Sequence, residues 1–338
     1  MTLRVAGLPK AELHVHLDGS LRPATMLELA AERSVSLPGA TADELGRAMV
    51  VDRAKDLEQY LARFSITLAL MQDREALERI AYELAADCVA ERIRYLEVRF
   101  CPALCTNGDL SAVEVIDAVL EGLGRAEGDF DMSAGVIVCA LRSHSAHASQ
   151  EMAELAISYS GRGVCAFDLA GAEAGYPVRD HVSALSAISR AGMPITIHAG
   201  EAFGPASIKE AIELGGASRI GHGTRLLEDP ELLAAVRDAG IPLEVCLTSN
   251  VQTGAVPSHD AHPLRRYFDE GIRVCLCTDN RLMSGVTLTQ EYEHARDDLG
   301  FSSSELTQLA RVGFESAFAT DAVKASLLER FDSEVVEA

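Results

Sequence analysis

The chain has 338 residues, 48% hydrophobic and 24% charged, enough apolar material for one large core beneath an ordinary soluble surface. Its 51 Asp and Glu outnumber 30 Lys and Arg, and the resulting charge of −21 repels phosphate backbones and anionic membranes, which argues against nucleic-acid and membrane partners. A neutral small molecule stays open as a ligand, because local charges decide there. Eight cysteines (Cys88, Cys101, Cys105, Cys139, Cys165, Cys246, Cys275 and Cys277) lie mostly in apolar runs without CxxC spacing, which reads as free thiols of a reducing compartment. The N-terminus lacks the basic start and apolar stretch of a signal peptide, so a cytoplasmic protein is expected.

Eight short apolar runs alternate with helical stretches. The first predicted strand, Glu12–Leu17, carries His14 and His16, whose i, i+2 spacing puts both rings on one face, and Asp18 follows it. A long insertion comes next. Asp56 and Gln59 resemble a capping box, and Leu57, Tyr60, Leu61 and Phe64 fall on one helical face. That stripe suits either a helix packed on the body of the protein or an apolar lid over a site. Strands are then predicted at Tyr95–Phe100, Ala134–Val138, Val164–Leu169 and Pro194–His198, the last running into His198-Ala-Gly-Glu201. Arg219–Gly221 leads into His222, which glycines flank on both sides. Pro242–Cys246 follows a helix that stops at Gly240, and Arg273–Thr278 ends on Asp279 and Asn280.

Strands this short and apolar, separated by helices, imply a parallel sheet covered on both faces. Eight repeats fit an α/β, (β/α)8 barrel, with extra helices after strand 1 and at the C-terminus, where Ser302 and Glu305 form a capping box. No linker interrupts the chain, so residues 1–338 are expected to form one domain, with a frayed acidic tail.

Active sites of such barrels form at the carboxyl ends of the strands, where the polar clusters of strands one, five, six and eight would converge. His14, His16, His198 and Asp279 supply three imidazoles and a carboxylate, a donor set suited to zinc and tolerable for iron or manganese. Glu201 is placed to shuttle protons, and His222 to orient an activated water or accept its proton. His144, His147, His181, His259 and His294 have no such placement, and His262-Pro263 reads as a helix start.

The segments "LPKAELHVHLDGSLRP", "FDLAGAEAG", "ITIHAGEAFG", "RIGHGTRLLEDPEL", "LEVCLTSNVQTGAV" and "CTDNRLMSG" together resemble the adenosine deaminase family of the amidohydrolase superfamily, in the family's order and over almost the whole chain. The resemblance implies hydrolysis of the 6-amino group of adenosine or 2′-deoxyadenosine in purine salvage. It implies one zinc held by His14, His16, His198 and Asp279, and no carboxylated lysine. Glu201 would donate a proton to purine N1, and His222 with Asp279 would place the attacking water. Asp18 would meet a ribose hydroxyl, Gly171 purine N3, and the Leu57–Phe64 stripe would cover the nucleoside. Where many members carry a second aspartate, this chain has Asn280 followed by Arg281, similar to a bacterial branch; an asparagine amide donates to N7 without needing protonation. Aminodeoxyfutalosine and adenine are the rival substrates. A non-catalytic nucleoside-binding barrel is the rival from another class, and a phosphoesterase would require basic residues that the clusters lack. A monomer or weak homo-oligomer is expected.

Overall fold

A computed structural model describes residues 4–51 and 63–337. Eight strands, β1 (Lys10–His16), β2 (Ile93–Phe100), β3 (Ser133–Leu141), β4 (Val164–Ala170), β5 (Ile195–Ala199), β6 (Arg219–His222), β7 (Leu243–Val245) and β8 (Val274–Leu276), form one sheet in sequence order. Every neighbouring pair is parallel. A parallel bridge between Val15 and Asp279 joins the last strand's extension back to the first. The (β/α)8 barrel expected from the alternation is the fold observed, each strand within a few residues of its predicted place.

The strands are less uniformly apolar than they look in one dimension. On β2, Leu96, Val98 and Phe100 alternate with Glu97 and Arg99, all of them buried. Arg99 reaches across the barrel to Asp168 on β4 at 3.0 Å and Glu244 on β7 at 2.8 Å, and Arg219 on β6 bonds Glu97 at 2.5 Å and Glu244 at 2.6 Å. The period of two thus sends apolar side chains outward to the helices and an ion network inward. Such a buried network adds little net stability over an apolar filling, but removing one member strands its partner at about 3–5 kcal/mol.

Local chemistry sets the helix ends as predicted. Gly240 stops the helix Pro230–Ala239 at φ 66°, and Ser302 caps Ser303–Ser316 in a capping box with Glu305. His262 does begin a helix: its Nδ1 accepts the Leu264 N–H at 3.0 Å, ahead of Leu264–Asp269. The Asp56–Gln59 cap and Leu57, Tyr60 and Leu61 lie outside the described residues. Among those described, no helix is long and apolar enough to cross a membrane.

Candidate active site

Four strand ends deliver the predicted cluster to one mouth. His16 ends β1, His198 is the last residue but one of β5, His222 ends β6, and Asp279 follows β8. Gly221 makes the approach possible, because a Cβ there would lie 3.1 Å from the His14 ring and 3.2 Å from the His198 backbone. His222 and Asp279 both hold positive φ, 64° and 60°, a conformation uncommon outside glycine and frequent at functional sites.

The Asp279 carboxylate is the centre. Its Oδ1 lies 3.4 Å from the Nε2 atoms of both His14 and His16, while Oδ2 accepts the Ser249 hydroxyl at 2.5 Å. His16 Nε2 and His198 Nε2 face each other at 3.2 Å. One donor atom each from His14, His198, His222 and Asp279 lies within 4.8 Å of the others. Burial alone would raise the Asp279 pKa, but the His14 ring against it and the other surrounding imidazoles hold it well below the ordinary carboxylate range.

Which imidazoles offer a lone pair follows from their outer bonds. His14 Nδ1 meets the Glu244 carboxylate at 2.8 Å, and His198 Nδ1 meets Asp168 at 3.0 Å. A carboxylate accepts only, so both rings carry a proton on Nδ1, and each ring when neutral turns a bare Nε2 inward. Burial, then the Arg99 charge, pushes His14 down to about 4, so that ring is neutral. His14 Nε2 is buried with no hydrogen-bond partner, as expected of an atom reserved for a cation. The donor set fits a metal ion.

His222 has the opposite tautomer. The Leu264 N–H fixes His262 Nδ1 as an acceptor, and burial pushes His262 down to about 3, so the neutral ring carries its proton on Nε2. That Nε2–H donates to Asn250 Oδ1 at 3.1 Å, where the Thr224 hydroxyl also donates at 3.0 Å. The Asn250 amide nitrogen therefore faces His222 Nδ1, at 3.1 Å, and donates to it. His222 consequently presents Nε2–H to the site, 3.7 Å from Glu201 Oε2 and too far for a direct hydrogen bond.

Glu201 is buried, which raises its pKa above the usual range. The Thr253 hydroxyl donates to its Oε1 at 3.0 Å, leaving Oε2 to carry the acid proton. Its backbone is clamped as well. Glu173, two residues beyond Gly171, accepts the N–H groups of Gly200, Glu201, Ala202 and Phe203 at 2.6, 3.0, 2.7 and 2.9 Å.

These side chains open onto a cavity of about 300 Å³, lined by His16, Asp18, Gly171, His198, Glu201, His222, Asp279 and Asn280. Phe64, Leu68, Leu104 and Leu141 form an apolar side to it, so Phe64 of the predicted stripe does face the site. Asp18 Oδ1 and Asn280 Oδ1 are buried without hydrogen-bond partners, and burial lifts Asp18 to about 7. Gly171 takes φ 88° at the end of β4.

The described residues that carry this cluster fall within residues 9–334, which match the family model for adenosine deaminase. The chain belongs to the adenosine deaminase family. A probable adenosine deaminase of Dictyostelium discoideum is 40% identical over 95% of this chain, which spans 42% of that protein's length. The adenosine deaminase of Clostridium perfringens is 36% identical over 96% of this chain and 98% of its own. The adenine deaminase of Arthrobacter aurescens superposes with a TM-score of 0.90 at 28% identity, over 98% of this chain and all of its own. As an adenosine deaminase family member the protein is a hydrolase of C–N bonds, and its His and Asp cluster suits the family's metal-dependent chemistry.

Sequence reasoning brought together all the described site residues but missed those behind them. Asp168 and Glu244 had a signal, each being an acid inside a buried strand. Asn250 lies in the short helix Leu247–Gln252, Thr253 at its end and Glu173 in a loop, and only the fold brings them to His222 and Glu201. His262 was assigned its helix start but not its bond to Asn250.

Proposed function

We propose that the protein deaminates adenosine and 2′-deoxyadenosine to inosine and 2′-deoxyinosine, one water adding at C6 as the C6–N6 bond breaks and ammonia leaves. His14, His16, His198 and Asp279 would hold one zinc, which when bound supplies a Lewis acid able to bring the pKa of a coordinated water to about 7. Glu201 gives its Oε2 proton to purine N1, which draws electron density from C6. His222, carrying its proton on Nε2, donates a hydrogen bond to the attacking oxygen and so orients it instead of acting as its base. Asp279, held ionised, accepts from the same oxygen. Gly171 N–H meets N3 and the Asn280 amide meets N7, while Asp18 takes a ribose hydroxyl.

The observation that carries this reading is the buried Glu201, with its raised pKa, facing His222 across the cavity that also holds Asp18, Gly171 and Asn280. Free adenine is the second reading, favoured by the likeness to an adenine deaminase. The unpaired Asp18 Oδ1 favours a ribosyl substrate, since a free base leaves that buried acceptor unmatched. The protein works in a reducing cytoplasm, consistent with its eight free cysteines, as a monomer or weak homo-oligomer.

The test is Glu201→Gln assayed on adenosine and on adenine. The variant should keep its metal and lose at least about 10²-fold in kcat on adenosine. Parent-like turnover would refute the acid's role, and parent turnover of adenine exceeding that of adenosine would refute the substrate.

A further inference from the structure

Away from the barrel mouth, a second group of metal-type ligands brings the connection between β7 and β8 against the helix Leu288–Asp297 that follows β8. His294 and Asp298 lie one turn apart at the end of the helix Leu288–Asp297, with His294 Nδ1 2.8 Å from Asp298 Oδ2. An i, i+4 pair of this kind needs no ion. The third member is harder to explain as packing. His259, in the short turn His259–Ala261, stacks on the His294 ring at a centroid distance of 3.9 Å and an interplanar angle of 29°. Its Nδ1 points to the same Asp298 Oδ2, at 3.6 Å, while its other nitrogen reaches the Thr248 hydroxyl at 3.4 Å.

Two imidazole nitrogens and a carboxylate oxygen therefore converge on one small volume, all three within 4.8 Å of one another. Stacked imidazoles repel when both are charged, so the close pair favours at least one neutral ring with a lone pair to offer. The three side chains are only partly buried, at 24%, 35% and 37% exposure, so water can complete the coordination. The nearby Asp260 adds negative charge.

We propose that His259, His294 and Asp298 form a second cation site, outside the catalytic mouth, selective for a zinc-class divalent ion. Two nitrogens and one oxygen match zinc, cobalt, nickel or copper and exclude magnesium and calcium, which take oxygen sets. The place of the site gives such an ion a structural effect. Thr248 lies in the first turn of the helix Leu247–Gln252, which carries Ser249 against Asp279 and Asn250 against His222. His259 precedes His262, the residue that bonds Asn250 from the other side. An ion shared by His259 and the helix Leu288–Asp297 would tie together the two supports of the segment that orients His222.

The holoprotein is equilibrated by dialysis against tens of micromolar zinc, and bound metal is counted for the parent, His294→Ala and Asp298→Asn. The parent should bind one ion per chain more than either variant, whatever the barrel mouth holds, and its Tm should rise on saturation while the variants' Tm does not. Titration with cobalt should give a d–d spectrum in the parent that is absent from His294→Ala, and calcium at the same concentration should bind to neither. Basal deaminase activity after dialysis against metal-free buffer should be equal in all three proteins. Equal metal counts in parent and variants, or a cobalt spectrum unchanged by His294→Ala, would overturn the site. A parent in which calcium competes with zinc would overturn its selectivity.

Discussion

Asn250→Asp changes one atom of consequence. The Oδ1 bonds from His262 Nε2 and the Thr224 hydroxyl survive, since a carboxylate accepts them equally well. The second oxygen replaces the amide nitrogen 3.1 Å from His222 Nδ1. Two acceptors cannot share that gap without a proton, and both residues are buried, at 0% and 1% exposure, so no water screens the clash. The proton on His222 moves from Nε2 to Nδ1, and the ring turns a bare nitrogen toward the attacking oxygen. Losing a preorganised donor to a developing oxyanion costs about 10²–10³ in kcat, or ~3–4 kcal/mol. A wrong tautomer at an analogous position in a serine protease costs more, so this is the lower side of the expectation. The assay pairs kcat on adenosine with ¹⁵N spectra of histidine-labelled protein, in which the His222 N–H should change from Nε2 to Nδ1 while that of His262 stays on Nε2. Metal content should be unchanged, since Asn250 touches none of the four candidate ligands in the bonds described. A variant with the parent's kcat and the shifted tautomer would refute the donor role of His222. An unshifted tautomer would refute the chain from Leu264 through His262 and Asn250.

Three further outcomes follow from the same geometry. In Glu173→Gln, one of the two oxygens that hold four backbone N–H groups becomes an amide donor, so at least one buried N–H loses its acceptor at about 1–3 kcal/mol; steady-state kinetics should show kcat down about 10-fold or more through the displaced Glu201, with KM nearly constant and metal retained. Burial raises Glu291 to about 8 from an ordinary 4.5, so the native state holds an extra proton between those values; stability is fully present below the lower one and is lost as pH rises toward 8, by up to ~1.4 kcal/mol per pH unit, and denaturant melts should find Glu291→Gln gaining on the parent across that window, with parallel curves ruling this out. Chelating the catalytic metal should lower Tm by several degrees and abolish activity, both restored by zinc; an unchanged Tm would mean that the histidine cluster is indifferent to the ion.

The strands and the mouth were legible because their signals are local: apolar runs of strand length, and histidines or acids one or two residues past them. Residues that act through a neighbour left weaker traces. Glu244 is an acid in a wholly buried three-residue strand, a conflict between residue type and position that marks it for a task, here bonding His14, Arg99, Arg219 and Thr196. Reading strands as simply apolar hid it. Asn250 and His262 had no one-dimensional mark, since their pairing depends on a loop returning to the end of β6. The lid was ambiguous for a physical reason: a single apolar stripe suits packing and closure equally, and only Phe64 can be placed, against the cavity.

Arg99 shows why the inner ion network belongs to the site as well as to the fold. It bonds both Asp168 and Glu244, the two carboxylates that fix the tautomers of His198 and His14. Burial alone would raise both acids' pKa values, and a protonated acid could donate to Nδ1 and turn the ring's own proton inward. The Arg99 charge is among the influences holding both well below the ordinary carboxylate range, alongside the imidazoles and, for Glu244, Arg219. An apolar barrel filling of equal volume would be no less stable by the usual balance of desolvation and attraction, yet it would leave the inner faces of His14 and His198 undefined. Asp279 ties this interior to the barrel's closure: its backbone bonds His16 N at 2.7 Å and His14 O at 2.8 Å, while its carboxylate faces both rings at 3.4 Å. The bonds that join the last strand to the first therefore also set the spacing of three candidate ligands, and no rearrangement of the site leaves the seam untouched.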